Sequence, residues 1–139
     1  MTNPLASDFQ CCSHSNVLVN CSASELHSVL GDLVGLCGPS IRMCSLPGSL
    51  DLPLQHTGTL LLSRIEEISD NQQLELFDWI TMTHLSARVV SVATKPLEHL
   101  MRQGRFLESL YYRLNVMRMD IGRARSLSRE ELDGASCRA

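Results

Sequence analysis

The chain is poor in positive charge. Its 139 residues include one lysine, Lys95, and the 12 Lys and Arg residues face 15 Asp and Glu, which gives a net charge of −3. Proteins that bind nucleic acid present a basic face to the phosphates. The charge balance therefore gives no reason to expect direct binding of DNA or RNA.

Long apolar runs are also missing. No stretch approaches the roughly 20 apolar residues that span a bilayer, and the N-terminus shows no basic region followed by an apolar core. We therefore predict neither a membrane span nor a secretory signal, and we expect a cytoplasmic protein.

The cysteines do not form a recognisable metal or disulfide framework. The run Cys11-Cys12-Ser13-His14 could contribute ligands, but no CxxC pair exists and a second ligand pair is missing. Without a secretory signal, reduced thiols are the simpler interpretation. We predict no metal site and no cofactor. The six cysteines are Cys11, Cys12, Cys21, Cys37, Cys44 and Cys137.

The order of apolar segments predicts a single α/β domain. Five strand-like runs are separated by helical patterns, and the runs are nearly continuously apolar, which is typical of a parallel sheet covered on both faces. We predict a loose arm over residues 1–14, a three-layer core over 15–121 and a charged tail over 122–139, with a possible frayed helix after Ser128. The predicted strands span residues 16–21, 40–45, 60–62, 88–94 and 115–121.

Two helix starts carry a capping-box spacing, in which a serine precedes a Glu or Gln by three residues. Ser22 with Glu25 opens one helix, and Ser69 with Gln72 opens another. In the second helix we expect three apolar side chains to point inward, namely Leu74, Phe77 and Ile80.

The segment from Gly104 to Val116 is the most informative part of the chain. Phe106, Leu110 and Leu114 have helical spacing, which predicts a short helix that leads into a buried strand over 115–121. The sequence GRFLESLYYRLNV resembles GRFREDLYYRLNV in the AAA+ ATPase domain of bacterial enhancer-binding proteins, the activators of sigma-54 RNA polymerase.

Other segments resemble the same domain in the same order. GTLLLSRI, residues 58–65, is similar to the Walker B segment GTLFLDEI, and RVVSVATKPL, residues 88–97, to the sensor segment RIIAATNRDL. Residues 17–19 resemble the strand before the Walker A loop, and residues 41–50 resemble VAVNCAALPESL. The resemblance covers about residues 16–121. It implies a RecA/AAA+-like P-loop fold without the helical lid, with a five-stranded parallel sheet in the order 5-1-4-3-2.

The residues that would perform the family's chemistry differ. A P-loop needs glycines, a lysine and a Ser or Thr around the phosphates, but this chain has only Cys21-Ser22-Ala23-Ser24 there. The Walker B Asp and Glu correspond to Ser63 and Arg64, and the sensor Asn corresponds to Thr94. These degenerate positions predict no nucleotide or Mg²⁺ site, and we expect the crevice at the strand ends to be shallow or filled.

The resemblance also implies losses at the interaction elements. The GAFTGA loop that contacts the sigma factor should fall between Leu50 and Gly58, where seven other residues stand. Nothing after residue 121 resembles the lid, a receiver module or a helix-turn-helix. Of two candidate arginine fingers, Leu107 occupies one position and Arg113 keeps the other.

Three residues are candidates for contact with a partner: Arg113, Tyr111 and Tyr112. Arg113 could reach a neighbouring subunit, or it could pair locally with Glu108 or a helix end. Tyrosine is enriched at interfaces, although we expect one of the two tyrosines to lie in the core.

The resemblance implies a non-catalytic regulatory or interaction domain rather than an enzyme. Its expected partner is an intact AAA+ sigma-54 activator, another protein or a second copy, without direct contact to nucleic acid or membrane. Two alternatives stay open: a residual nucleotide-binding or ATPase domain, and a vestigial scaffold of unknown partner.

Overall fold

The structure of the chain is a computed structural model, and it describes residues 15–37, 40–52, 58–83 and 87–121. The strands are β1 (Val17–Asn20), β2 (Ile41–Ser45), β3 (Gly58–Ser63), β4 (Ala87–Ala93) and β5 (Met117–Asp120). The helices are α1 (Leu26–Cys37), α2 (Asp70–Thr83), α3 (Leu97–Arg102) and α4 (Glu108–Leu114), with 3₁₀ turns at Ala23–Glu25 and Ile65–Glu67. The predicted arm, tail and late helix lie outside these residues.

The five strands form one parallel sheet in the order β2-β3-β4-β1-β5. This confirms the predicted α/β fold and the predicted strand order. β3 and β4 lie inside the sheet and are buried on both faces, which explains why their sequences are nearly continuously apolar. None of the helices in the described ranges is long and apolar enough to cross a membrane.

Helices cover both faces of the sheet. We call the face under α2, α3 and α4 the three-helix face; its core includes Leu18, Leu60 and Leu62 from the strands and Leu76, Leu97 and Leu110 from the helices. The opposite face lies under α1, which buries Val29 and Leu33 against Val19, Leu61 and Val90. This alternation follows from the period of two along each strand.

Both capping boxes are present. The amide of Ser22 donates to the carboxylate of Glu25 (3.2 Å), and the amide of Ser69 donates to the side chain of Gln72 (3.1 Å). The amide of Gln72 in turn donates to the hydroxyl of Ser69. The predicted starts of two helices are therefore confirmed.

The predicted inward face of α2 was wrong at Leu74, whose side chain is 54% exposed. Leu76, Trp79 and Ile80 are buried instead, and Gln73 is buried with them. Residues 73, 76 and 80 follow the helical spacing of one face, and this spacing places Leu74 outside the face. The polar Gln73 takes a core position because both ends of its amide are hydrogen-bonded.

The Gln73 amide fixes the segment that leads into α4. Its nitrogen donates to the carbonyl of Arg105 (3.0 Å), and its oxygen accepts from the amide of Leu107 (2.8 Å). Phe106, Leu110 and Leu114 are buried, as the helical spacing predicted. The strand after α4 is less buried than predicted: β5 is an edge strand, and only its Met119 is buried.

Candidate functional site

A crevice of about 550 Å³ opens at the carboxyl ends of β1, β4 and β5. Ligands commonly bind at this end of a parallel sheet. Of the two predicted alternatives, a shallow or a filled crevice, this volume excludes the filled one. A short connection after β1 removes material that would otherwise lie over the strand ends, so it leaves space. The lining residues are Asn20 to Glu25, Ala93 to Pro96, Arg118 and Asp120.

The connection from β1 to α1 puts a carboxylate at the start of the helical segment. Glu25 accepts hydrogen bonds from the amide (3.2 Å) and the hydroxyl (3.0 Å) of Ser22. The amides at a helix start attract anions, and in a P-loop the anion is a phosphate. Here the chain's own Glu25 binds one of these amides, that of Ser22, and its negative charge repels a phosphate.

Cys21 also lines the crevice, close to the carboxylates of Glu25 and Glu66. Burial, and after it the negative charges of Glu25 and Glu66, raise the pKa of the Cys21 thiol to about 11. Near neutral pH the thiol is therefore protonated, which disfavours attack by a thiolate.

The predicted degenerate positions do not all meet in the crevice. Thr94 lines it, whereas Ser63 is buried at the end of β3 and Arg64 is exposed, with a left-handed backbone (φ 60°). The amide of Thr94 donates to Glu66 (3.0 Å), and so does its hydroxyl. Glu66 thus ties the end of β4 to the 3₁₀ turn after β3.

Glu66 was missed in the sequence analysis. It follows the Walker B-like segment by one residue, in Ser63-Arg64-Ile65-Glu66. An acidic residue so close to the substituted Asp and Glu positions was a signal that a carboxylate remained near the strand ends.

The wall formed by β5 carries an ion-pair network. Arg118 donates to Glu98 (2.7 Å) and to Asp120 (3.2 Å), and Asn20 donates to the same Asp120 oxygen (3.0 Å). Burial lowers the pKa of Arg118, but Asp120 and Glu98 outweigh it and raise the pKa overall. The charge of Arg118 is therefore already balanced within the chain.

Tyr111 belongs to this network and to the core. Its ring is buried, its hydroxyl donates to Glu98 (2.8 Å), and Asn115 donates to that hydroxyl (2.9 Å). Burial and the contact with Glu98 raise the pKa of Tyr111. Tyr111 is therefore the core tyrosine of the pair.

Tyr112 and Arg113 lie on the outside of α4. Tyr112 is 62% exposed and meets Tyr111 edge to face, with the ring centroids 5.3 Å apart. The guanidinium carbon of Arg113 lies 5.5 Å from the ring centroid of Phe77, an arrangement that allows a cation–π contact. The structure thus places Arg113 against α2 rather than pairing it with Glu108.

Among the described residues, no group of three or more His, Cys, Asp and Glu side chains could hold a metal ion. The run from Cys11 to His14, considered above as a source of metal ligands, lies outside these residues. Most of the segment between Leu50 and Gly58 lies outside them too.

Two regulatory proteins are similar to about half of the chain. The transcriptional regulatory protein TyrR of Citrobacter braakii is 31% identical over 81 residues, which are 50% of this chain and 16% of that protein. TyrR of Salmonella typhimurium is 32% identical over 75 residues, 46% of this chain and 15% of that protein. The chain therefore spans about one sixth of these relatives.

Solved structures support the same fold. NtrX from Brucella abortus, determined in complex with ATP, matches 96% of this chain and 38% of its own with a TM-score of 0.69 and 14% identity. The P-loop NTPase domain of a sigma-54 transport activator from E. coli matches 82% of this chain and 89% of its own, with a TM-score of 0.61 and 20% identity.

The family comparison covers the larger part of the chain. The model of the sigma-54 interaction domain matches residues 43–123, from the middle of β2 to just beyond β5. The matched range leaves out β1, α1 and the connection between them that lines the crevice, and it includes α2, α3 and α4. The chain belongs to the sigma-54 interaction domain family.

Proposed function

We propose that this chain is a non-catalytic regulatory domain of the sigma-54 activator type, which acts by binding an intact AAA+ activator or another protein. The observation that carries the proposal is the position of Glu25. Its carboxylate accepts the Ser22 amide at the helix start, where a P-loop would offer amides to phosphate, on a connection without glycine or lysine.

The electrostatics of the crevice favour the same conclusion. Glu25, Asp120 and the nearby Glu66 supply negative charge, and Arg118 is held by Glu98 and Asp120. Lys95 is the remaining cation among the lining residues. Tight binding of ATP with Mg²⁺ needs a concentrated positive site for the phosphates, and this arrangement does not supply it.

Partner contact would use the outside of α4. Tyr112 presents an exposed aromatic ring beside Arg113, and both residue types are frequent at interface hot spots. Because Tyr111 is buried, a partner would meet Tyr112 and Arg113. By resemblance, AAA+ domains assemble in rings, and a subunit of this type would change the ATPase rate or the assembly of such a ring.

The test is a titration of this protein into the ATPase assay of an intact sigma-54 activator from the same host. We expect a saturable change in rate, which Tyr112→Ala and Arg113→Ala weaken. Met82→Ala and Arg102→Ala, at exposed positions on other helices, serve as matched controls. No change in rate together with no co-elution would refute the regulatory proposal and leave the vestigial scaffold.

A residual nucleotide-binding domain is the second candidate, because the crevice is open and its volume would accommodate a small molecule. Calorimetry with ATP and Mg²⁺ separates the two functions. We expect no binding tighter than millimolar for the natural chain. Glu25→Gln removes the repelling charge and should bind ATP more tightly than the parent. Glu75→Gln, at an exposed position of α2, is the control. Micromolar binding by the natural chain would favour the second candidate.

A further inference from the structure

β5 ends the sheet, and one of its two edges is free of the strands in the described part of the chain. The amides of Met117 and Ile121 donate to the carbonyls of Asn16 and Asn20, so the odd-numbered residues of this segment face β1. Since backbone groups alternate along a strand, the N–H and C=O groups of Arg118 and Asp120 face outward. An outward row of this kind is a template for another strand.

The side chains of this segment are self-complementary in the antiparallel direction. The sequence Met117-Arg118-Met119-Asp120-Ile121 reads apolar, cationic, apolar, anionic, apolar. When two copies pair about a two-fold axis at Met119, Arg118 lies opposite Asp120 of the second copy, and Met117 lies opposite Ile121 of the second copy. Opposite charges and apolar pairs at facing positions stabilise an antiparallel ladder.

This register also agrees with the backbone. Arg118 and Asp120, the residues whose amides face outward, become the hydrogen-bonded pair of the new ladder. Arg118 has five N–H donors and uses two of them on Glu98 and Asp120 of its own chain. It can therefore keep these contacts and still reach Asp120 of the second copy.

Exposed apolar side chains cluster where β5 begins. Val116 is 57% exposed and Met117 is 40% exposed, and the exposed Tyr112 precedes Val116 by four residues. Side chains of this kind lose contact with water when a second sheet edge approaches.

The other edge strand, β2, also exposes an apolar side chain, that of Met43 (47%), but it lacks the self-complementary charge pattern. In Ile41-Arg42-Met43-Cys44-Ser45 the cation has no acidic residue with which to pair across a two-fold axis, and Arg42 binds Asp51 of its own chain (2.7 Å). The two edges of one sheet therefore differ in their capacity for symmetric pairing.

We propose that two copies of this chain associate through antiparallel pairing of their β5 strands, with Arg118 of each copy opposite Asp120 of the other. The product is a continuous ten-stranded sheet with a closed two-fold interface. The contact is small, so the association is weak and depends on concentration. It stands independently of the regulatory function proposed above.

The test is sedimentation velocity on the full chain over a concentration series that reaches about 1 mM, a range suited to weak contacts. We expect a monomer–dimer equilibrium. Arg118→Asp places like charges opposite each other twice and should raise the dissociation constant by about tenfold. The double variant Arg118→Asp/Asp120→Arg restores opposite charges and should restore the dimer.

Arg42→Asp on β2 is the matched control, because it also breaks a surface ion pair on an edge strand, and it should leave the dimer unchanged. A monomer throughout the series would overturn the proposal, and so would equal loss of the dimer in the β2 variant. Hydrogen exchange gives a second measurement on the natural chain. The amides of Arg118 and Asp120 should become protected as the concentration rises, and fast exchange of these amides in the dimer would exclude β5 pairing.

Discussion

The three-helix face and the crevice share strands and helices but are built from different interactions. On β4, Val89 and Ala93 pack into the three-helix core, while the next residue, Thr94, lines the crevice and binds Glu66. On α3, Leu97 is in the core and Glu98 is in the ion-pair network. One region depends on apolar burial and the other on charge, so substitutions in the two should differ in size and in pH dependence.

The largest effect is expected at Leu76, a residue of α2 whose side chain is fully buried. Leu76→Ala should lower the free energy of unfolding by about 2–5 kcal/mol, because it removes buried methyl groups and leaves a cavity. Leu74→Ala, two residues earlier on the same helix, should change it by less than about 0.5 kcal/mol. Urea denaturation of both variants checks the difference, and similar losses would contradict the observed orientation of α2.

The buried Gln73 should stabilise the core through its hydrogen bonds, although its side chain is polar. Gln73→Ala leaves the Leu107 amide and the Arg105 carbonyl without their partner, and we expect a loss of about 2 kcal/mol. Gln103→Ala, at an exposed position, is the control. If the two variants unfold at the same urea concentration, the Gln73 contacts contribute no stability.

Among the residues that the structure describes, Ser91 has a buried side-chain hydroxyl without a hydrogen-bond partner. The residue is fully buried on β4. Ser91→Ala should therefore raise the free energy of unfolding by about 1 kcal/mol, whereas Ser49→Ala on the surface should change little. A lower melting temperature for Ser91→Ala would show that the hydroxyl finds a partner in solution.

The smallest effect is expected at Glu98, and it should depend on pH. Burial raises the pKa of Glu98, but hydrogen bonds from Tyr111, a backbone amide and Arg118 outweigh it and lower the pKa overall. A carboxylate with a lowered pKa stabilises the fold above its unfolded pKa, about 4.3, and this contribution is lost as the pH falls through the folded value.

For this surface network we expect a contribution below about 1 kcal/mol after solvent screening. Between about pH 5 and lower pH, the melting temperature of Glu98→Gln should therefore fall less than that of the parent chain. Thermal melts at several pH values measure this difference. Glu75→Gln is the matched control. An unchanged acid profile in Glu98→Gln would mean that the network does not stabilise the fold.

The sheet could be predicted from the sequence because its determinants are local or carried by the resemblance. The apolar runs predicted the strands, the two serines predicted the helix starts, and the resemblance predicted the strand order. The prediction that Leu74 points inward was wrong because Gln73 takes the core position. The side-chain amide of Gln73 is satisfied by Arg105 and Leu107, which are more than 30 residues away in the sequence.

The crevice could be predicted only in part. The missing P-loop residues are visible in Cys21-Ser22-Ala23-Ser24, but the open volume depends on side chains from distant segments. Arg118 and Asp120 reach the crevice because β5 pairs with β1 across a sequence separation of 100 residues. No local pattern contains this information.

The position of β1 inside the sheet has a consequence for how the chain folds. β1 is flanked by β4 and β5, and its contacts span 73 and 100 residues, as in the bonds of Asn16 with Val89 and of Asn20 with Asp120. A ribosome releases β1 long before either neighbour exists, so this strand waits unpaired until nearly the whole domain has been synthesised. Long-range pairing of this kind slows folding and prolongs the exposure of apolar strands. The need for chaperones in the cell should therefore depend on the time between the synthesis of β1 and the synthesis of β5.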